Sequence, residues 1–260
     1  MFNFIIFFVI SVYYSCFFIL FIDITFIKLI YKVIFFEKFF MHNSVQNLLS
    51  IQTAIKSKLL ELSLQNRIPR VIAVSKTFKI DHILPLIQYG HLDFGENKVQ
   101  EALEKWTDIK EKNDKINLHL IGKLQTNKVK YAVKIFDYIH SLDSEKLAKK
   151  ISDEQKKQNV KPKIFIQINL GEESQKSGIM RNNLVEFYNF AQSLDLNIIG
   201  TMCIPPFDED SDIFFSQMRE LNQKIKLKEI SMGMSSDYLN AVAYNATFLR
   251  IGSNIFGKRS

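Results

Sequence analysis

Cysteine is nearly absent from this chain of 260 residues, which has only Cys16 and Cys203. Cys16 lies in an atypical N-terminal stretch, so the remainder has no disulfide framework, which fits a reducing compartment and a cytoplasmic location. The five histidines, His42, His82, His91, His119 and His140, show no metal-ligand spacing, which argues against a zinc site. No GxxxxGK loop followed by Ser or Thr is present to cradle nucleotide phosphates, and no GxGxxG turn for a dinucleotide. Internal repeats are missing, and no linker divides residues 41–260.

Residues 1–40 lack Gly, Ala, Pro and Arg altogether, yet hold more than half of the 23 Phe. No charge occurs from residue 4 to residue 22, a stretch long enough to span a bilayer. One reading is a membrane anchor with Lys28, Lys32 and Lys38 on the cytoplasmic side. The preferred reading places these residues outside the protein, because Phe, Ile, Tyr, Asn and Lys are what AT-rich DNA encodes and Met41 offers a natural start. A cleaved signal peptide is disfavoured, since no basic region precedes the apolar run and no small-residue cleavage site follows it. The expected organisation is a hydrophobic extension over 1–40 and one domain over 41–260.

Formal net charge is +7. Lys28, Lys32 and Lys38 against Asp23 and Glu37 place +1 of this in residues 1–40, leaving +6 for residues 41–260. Such a surplus can steer anionic ligands or nucleic acid. Here the lysines interleave with acids on apparent helix faces, as at Glu101, Glu104 and Lys105 or at Lys110, Glu111 and Lys112. That pattern describes a solvated surface, so no nucleic-acid partner is expected.

The domain is organised around Arg70-Val71-Ile72-Ala73-Val74-Ser75-Lys76-Thr77, a short apolar run that ends in a lysine. Such a run reads as a strand buried on both faces of a parallel sheet. Side chains alternate, so Ile72, Val74 and Lys76 share one face while Val71, Ala73 and Ser75 share the other. Taken alone, Lys76 reads as the point where the chain returns to water, since lysine is rarely buried without a partner. It also stands where α/β folds place their chemistry, at the C-terminal end of a buried parallel strand.

Before this strand, Val45, Leu48, Leu49, Ile51, Ile55, Leu59, Leu60 and Leu62 recur at helical spacing, predicting a helix over 43–65. After it, helical stretches over 80–89, 98–110, 126–134, 144–158, 182–194, 208–224 and 237–244 alternate with strand-like ones around Phe94, His119, Ile139, Ile166, Thr201, Ile230 and Leu249. Strict alternation implies a parallel sheet with right-handed crossovers. Eight such units in roughly 200–250 residues point to a single α/β domain, a closed (β/α)₈ TIM barrel whose leading helix completes the outer ring. An open sheet stays compatible, because sequence does not show closure.

In such a barrel the C-terminal strand ends form one mouth. They offer Lys76, Glu96 and Asn97, Gly122, Ser141, Asn169, Pro205, Ser235, then Gly252, Ser253 and Asn254. The last two loops, Met232-Gly233-Met234-Ser235-Ser236 and Ile251-Gly252-Ser253-Asn254, suit a phosphate: glycines let backbone N–H groups approach an anion, and serines add hydroxyls. A lysine that attacks a carbonyl needs a free amine, which partial desolvation favours. Lysine and phosphate loops together fit two chemistries, an aldolase-type Schiff base with a phosphorylated substrate or a Schiff base with pyridoxal phosphate. The residues by themselves leave both open. Glu172-Glu173 reads as a solvated loop and Trp106 as core.

Six blocks carry a resemblance: Ala73-Val74-Ser75-Lys76-Thr77; Phe94-Gly95-Glu96-Asn97 with Gln100-Glu101; His119-Leu120-Ile121-Gly122 with Leu124-Gln125 and Asn127-Lys128; Gln167-Ile168-Asn169 with Lys176-Ser177-Gly178; Ser231-Met232-Gly233-Met234-Ser235 with Asp237; and Arg250-Ile251-Gly252 with Ile255-Phe256-Gly257. In order and spacing they resemble the signature of the pyridoxal phosphate homeostasis protein family, the YggS/PROSC family, across residues 44–258. The resemblance implies the barrel of the alanine racemase N-terminal domain with pyridoxal 5′-phosphate as cofactor. It further implies Lys76 as the Schiff-base lysine, the phosphate around Ser235, Gly252 and Ser253, Arg250 facing the pyridine nitrogen, and Asn97 and His119 lining the cofactor pocket. Departures are small. Ser253 stands where threonine is frequent and keeps the hydroxyl, Thr126 replaces serine, and Lys98 and Lys123 replace residues usually aromatic or uncharged. Residues 1–40 lie outside the family pattern.

A guanidinium is always protonated and has no lone pair to accept a proton, so Arg250 would tend to keep the ring nitrogen unprotonated. An unprotonated pyridine is a weaker electron sink, which disfavours decarboxylase or transaminase chemistry. Racemases with this arrangement add a second acid/base from another domain or subunit, and this chain stops at Ser260, just after the last strand. The expectation is a carrier in vitamin B6 and amino-acid homeostasis that hands pyridoxal phosphate to apo-enzymes dependent on it. The alternative is a minimal pyridoxal phosphate-dependent amino-acid racemase or lyase. A monomer is expected, with no membrane contact unless residues 1–40 are translated.

Overall fold

The computed structural model describes residues 41–64, 67–172, 177–206 and 208–257. The expectations for residues 1–40, Glu173 and Lys176 lie outside the described residues. The chain divides after His42, and the architecture below is that of the second unit.

Helix α1 (Asn43–Glu61) buries Val45, Leu48, Ile51, Ile55 and Leu59 along one stripe, the spacing that 3.6 residues per turn requires. There follow β1 (Arg70–Val74), α2 (Ile80–Tyr89), β2 (Asp93–Glu96), α3 (Val99–Lys112), β3 (Asn117–Leu120), α4 (Val129–Ile135), β4 (Tyr138–Leu142), α5 (Glu145–Gln158) and β5 (Lys163–Asn169). The second half comprises β6 (Ile179–Met180), α6 (Leu184–Ser193), β7 (Ile198–Cys203), α7 (Ser211–Lys224), β8 (Glu229–Ser231), α8 (Tyr238–Ala243), β9 (Phe248–Ile251) and α9 (Ser253–Phe256).

Helix starts move where caps decide them. The expected helix over 208–224 begins only at Ser211, because the Asp210 carboxylate accepts the backbone N–H of Asp212 and ends the acidic run as a cap. The expected starts at 126 and 182 are single 3₁₀ turns, Thr126–Lys128 and Arg181–Asn183, that lead into α4 and α6.

Strands pair in parallel in the order β4-β3-β2-β1-β9-β8-β7-β5, and β4 also pairs with β5. That pairing closes eight strands into the (β/α)₈ barrel anticipated from the alternation. The two-residue β6 hangs on β5 at Ile168 and Asn169, outside the ring. Ile72, Tyr138, Phe165, Met202 and Phe248 fill the barrel axis. Register then assigns faces. Arg250 lies beside Ile72, His119 beside Tyr138, and Gly95 beside both His119 and Val74. Cross-strand neighbours share a face, so Arg250, His119, Gly95 and Val74 all point inward.

Candidate functional site

A cavity of about 800 Å³ opens at the C-terminal strand ends, within the roughly 300–1,000 Å³ range of ligand pockets. Lys76 enters it from the segment after β1, Asn97 after β2, Gly122 after β3, and Asn169 from the end of β5. Ser235 and Ser236 come from the loop after β8, Arg250 from β9 itself, and Gly252 and Ser253 from beyond it. The structure therefore brings Lys76, Asn97, Ser235, Arg250, Gly252 and Ser253 to one place.

His119 is not among them. It is fully buried on the barrel axis, stacked on Tyr138 at 4.3 Å and hydrogen-bonded at both ring nitrogens, below the cavity rather than in its wall. Glu96, Ser141 and Pro205 are not part of the cavity lining either. Glu96 follows the inward Gly95 and Ser141 the inward His140, so both turn away from the axis and are buried. Asn254 is exposed, and its amide donates to the Ser235 carbonyl at 2.8 Å. Glu172 pairs with Arg181 on the surface.

Glu96 has a different task. Its Oε1 accepts from the Ser75 hydroxyl at 2.7 Å, from Lys105 Nζ at 2.9 Å and from the Trp106 indole at 2.9 Å. Lys105 also donates to the Ser75 carbonyl and to Glu101, and Glu101 accepts the backbone N–H of Thr77. Both neighbours of Lys76 are thus tied to one ionic cluster in which buried Glu96 of β2 and part-exposed Glu101 of α3 share Lys105. Thr77 stands at φ 68°, a left-handed conformation that the Glu101 contact helps to hold. Burial pushes the Glu96 carboxyl up, against the pull of Trp106, Lys105 and Ser75. Burial also raises that of Glu101, but Lys105 and the Thr77 N–H outweigh it and hold the group below the usual carboxylate range.

The two glycine-bearing loops are joined by Ser235, whose hydroxyl oxygen accepts from the backbone N–H groups of Gly252 at 3.3 Å and Asn254 at 3.4 Å. Gly233 sits at φ 85°, with any Cβ 2.6 Å from that of Ala241, so this turn is open only to glycine. Gly122 is forced by proximity: a Cβ there would lie 2.4 Å from the Asn97 carbonyl oxygen. That approach lets β3 support Asn97 at the cavity wall.

Arg250 is 4% exposed. Among the described residues it forms no ion pair; its guanidinium donates to Ser231 Oγ at 2.7 Å and to the Cys203 carbonyl at 2.8 Å. A buried cation held only by neutral acceptors leaves N–H capacity toward the cavity and favours a lone pair or negative charge there. The same surroundings push the Cys203 thiol up to about 12 through burial, which keeps it inert.

Behind Arg250 runs a line of buried polar side chains that sequence reading missed. Ser231 Oγ meets His140 Nδ1 at 2.9 Å, His140 Nε2 meets His119 Nδ1 at 3.0 Å, and His119 Nε2 meets Asp93 Oδ1 at 3.0 Å. Asp93 pairs in turn with Arg70. Burial pushes both histidines down, His140 furthest, with His119 and Arg250 adding to it. Burial raises Asp93, but His119 and Arg70 prevail and hold it below the ordinary carboxylate range. These partners lie on different strands, up to 91 residues apart, and no local pattern marks them.

The alanine racemase N-terminal domain family matches residues 53–260. The pyridoxal phosphate homeostasis protein of Pasteurella multocida is 34% identical over 225 residues, covering 82% of this chain and 97% of the relative. The protein of the same name from Homo sapiens is 35% identical over 212 residues, covering 74% and 77%. Among solved structures, PipY of Synechococcus elongatus with PLP bound superposes with a TM-score of 0.68 at 33% identity, covering 78% of this chain and all of that one. The barrel, its signature blocks and these matches place the chain in the pyridoxal phosphate homeostasis protein family, within the alanine racemase N-terminal domain family.

Proposed function

We propose that residues 41–260 bind pyridoxal 5′-phosphate in the cavity and that the protein serves vitamin B6 and amino-acid homeostasis as a carrier. The observation that carries this reading is that Lys76 and the buried, anion-seeking Arg250 face one cavity bordered by the loops of Ser235, Gly252 and Ser253. The names of the relatives and the PLP held by PipY support it. The amine of Lys76 would condense with the cofactor aldehyde and release water, giving a Schiff base. Ser235, Gly252 and Ser253 would hold the phosphate, Asn97 would border the ring, and Arg250 would face the pyridine nitrogen. His119 would act from behind Arg250 rather than by touching the cofactor. The cofactor supplies a reversible covalent hold on amines, which suits holding and release to apo-enzymes by a cytoplasmic monomer.

Titrating the full chain with pyridoxal phosphate tests this directly. A saturable visible band, weakened by competing inorganic phosphate, is expected. A folded protein that stays colourless would contradict the reading and return the site to a phosphorylated carbonyl substrate. Rapid solvent-deuterium exchange at the α-carbon of added amino acids would overturn the carrier in favour of a racemase or lyase.

A further inference from the structure

The line of polar side chains behind Arg250 has one internally consistent direction. Asp93 is anionic and can only accept, so His119 Nε2 must carry the proton that it shares with Asp93. A neutral His119 then has a bare Nδ1, which must accept from His140 Nε2–H. A neutral His140 is left with a bare Nδ1, which must accept from the Ser231 hydroxyl. At the other end Arg250 can only donate, and it uses the Ser231 oxygen as acceptor. Any neutral histidine with its proton on Nδ1 would set two acceptors face to face somewhere along this line, at distances of 2.9–3.0 Å.

We propose that Ser231, His140 and His119 are positioning residues for Arg250: a one-way hydrogen-bond relay, anchored on Asp93, that holds the guanidinium against the cavity and determines how it meets its ligand. The relay runs down the barrel axis from the mouth toward Arg70, with His119 stacked on Tyr138 and His140 on Phe165 at 4.2 Å, so neither ring can turn without displacing the core. Every donor along the line points away from Arg250 and toward Asp93, so the Ser231 oxygen is left as an acceptor for a guanidinium that forms no ion pair among the described residues and feels Asp237 only at a distance. Arg250 cannot give up its proton, so the relay ends there as a fixed donor and not as a proton path to the ligand. This inference rests on the pyridoxal phosphate reading for the identity of that ligand, a ring nitrogen with a lone pair, but not for the relay itself.

The decisive measurement is ¹⁵N NMR of the histidine rings in the full chain without cofactor at neutral pH. Bare Nδ1 and protonated Nε2 are expected in both His119 and His140. An imidazolium, or an Nδ1-protonated ring, at either position overturns the relay whatever the cavity binds. The second arm compares pyridoxal phosphate affinity in Ser231→Ala, Ser231→Thr and His140→Phe. Loss of the acceptor for a buried charged donor should weaken binding about tenfold in Ser231→Ala. Ser231→Thr should restore most of it by keeping the hydroxyl, and borohydride should still fix the cofactor on Lys76 in all three. Unchanged affinity in both Ser231→Ala and His140→Phe would refute the positioning role while leaving the cofactor assignment standing. Failure of the unsubstituted chain to bind pyridoxal phosphate would refute the cofactor assignment while leaving the tautomers to judge the relay.

Discussion

Ser75 donates its hydroxyl to Glu96 across the β1–β2 pairing at 2.7 Å, one residue before Lys76. Since Glu96 also accepts from Lys105 and Trp106 and is wholly buried, the strand that presents Lys76 is braced from behind by a cluster that never touches the cavity. Glu96→Ala leaves a buried ammonium and an indole N–H without their acceptor, and should destabilise the fold by about 3–5 kcal/mol. Glu96→Gln keeps an oxygen for the three donors and should cost about 1–3 kcal/mol. Urea unfolding followed by the emission of Trp106, the single tryptophan, measures both. Equal losses in the two variants would show that acceptor geometry is not what matters. Hydrogen exchange at residues 75–77 should accelerate in Glu96→Ala.

Gly122 admits no Cβ beside the Asn97 carbonyl. Gly122→Ala should therefore push Asn97 from the cavity wall, destabilise the barrel by about 1–3 kcal/mol and weaken pyridoxal phosphate binding, as read by the visible titration. A variant with unchanged affinity would remove Asn97 from the site.

Acid should weaken the fold through its buried histidines. His91, His119 and His140 are all held below the ordinary value of 6.5, chiefly by burial. The unfolded chain therefore binds more protons below pH 6.5, so the stability that these rings contribute is complete above that value and is lost as pH falls through it. Each ring that stays neutral gives up to about 1.4 kcal/mol per pH unit. Glu96, raised by burial, works in the opposite direction, one group against three. Urea midpoints at pH 7.5 and 5.5 should differ, and His140→Phe should narrow the difference. An equal difference in that variant would show that His140 is protonated in the fold.

Much of the fold was legible because it is written locally. The apolar stripe of α1 and the run ending at Lys76 are periodic patterns that short windows reveal, and strand–helix alternation carries the topology. The β4–β5 pairing that closes the ring joins strands across a whole helix and leaves no mark in either one. The cavity residues Lys76, Asn97, Ser235, Gly252 and Ser253 could be read because they lie within four residues of a strand's C-terminal end. Glu96 ends β2, yet parity turns it outward: Gly95 pairs with the inward Val74, so its successor faces α3. His140 and Asp93 were passed over because their meaning lies in partners on other strands. His119 was placed on the cofactor by family resemblance, whereas its two ring nitrogens are engaged by His140 and Asp93.

Lys76 is the residue proposed to hold the cofactor. After incubation with pyridoxal phosphate and reduction by borohydride, mass mapping should find one adduct, on the peptide containing Lys76, and Lys76→Ala should abolish it with the fold intact. An adduct that survives this substitution, or a folded chain that acquires none, would contradict the assignment.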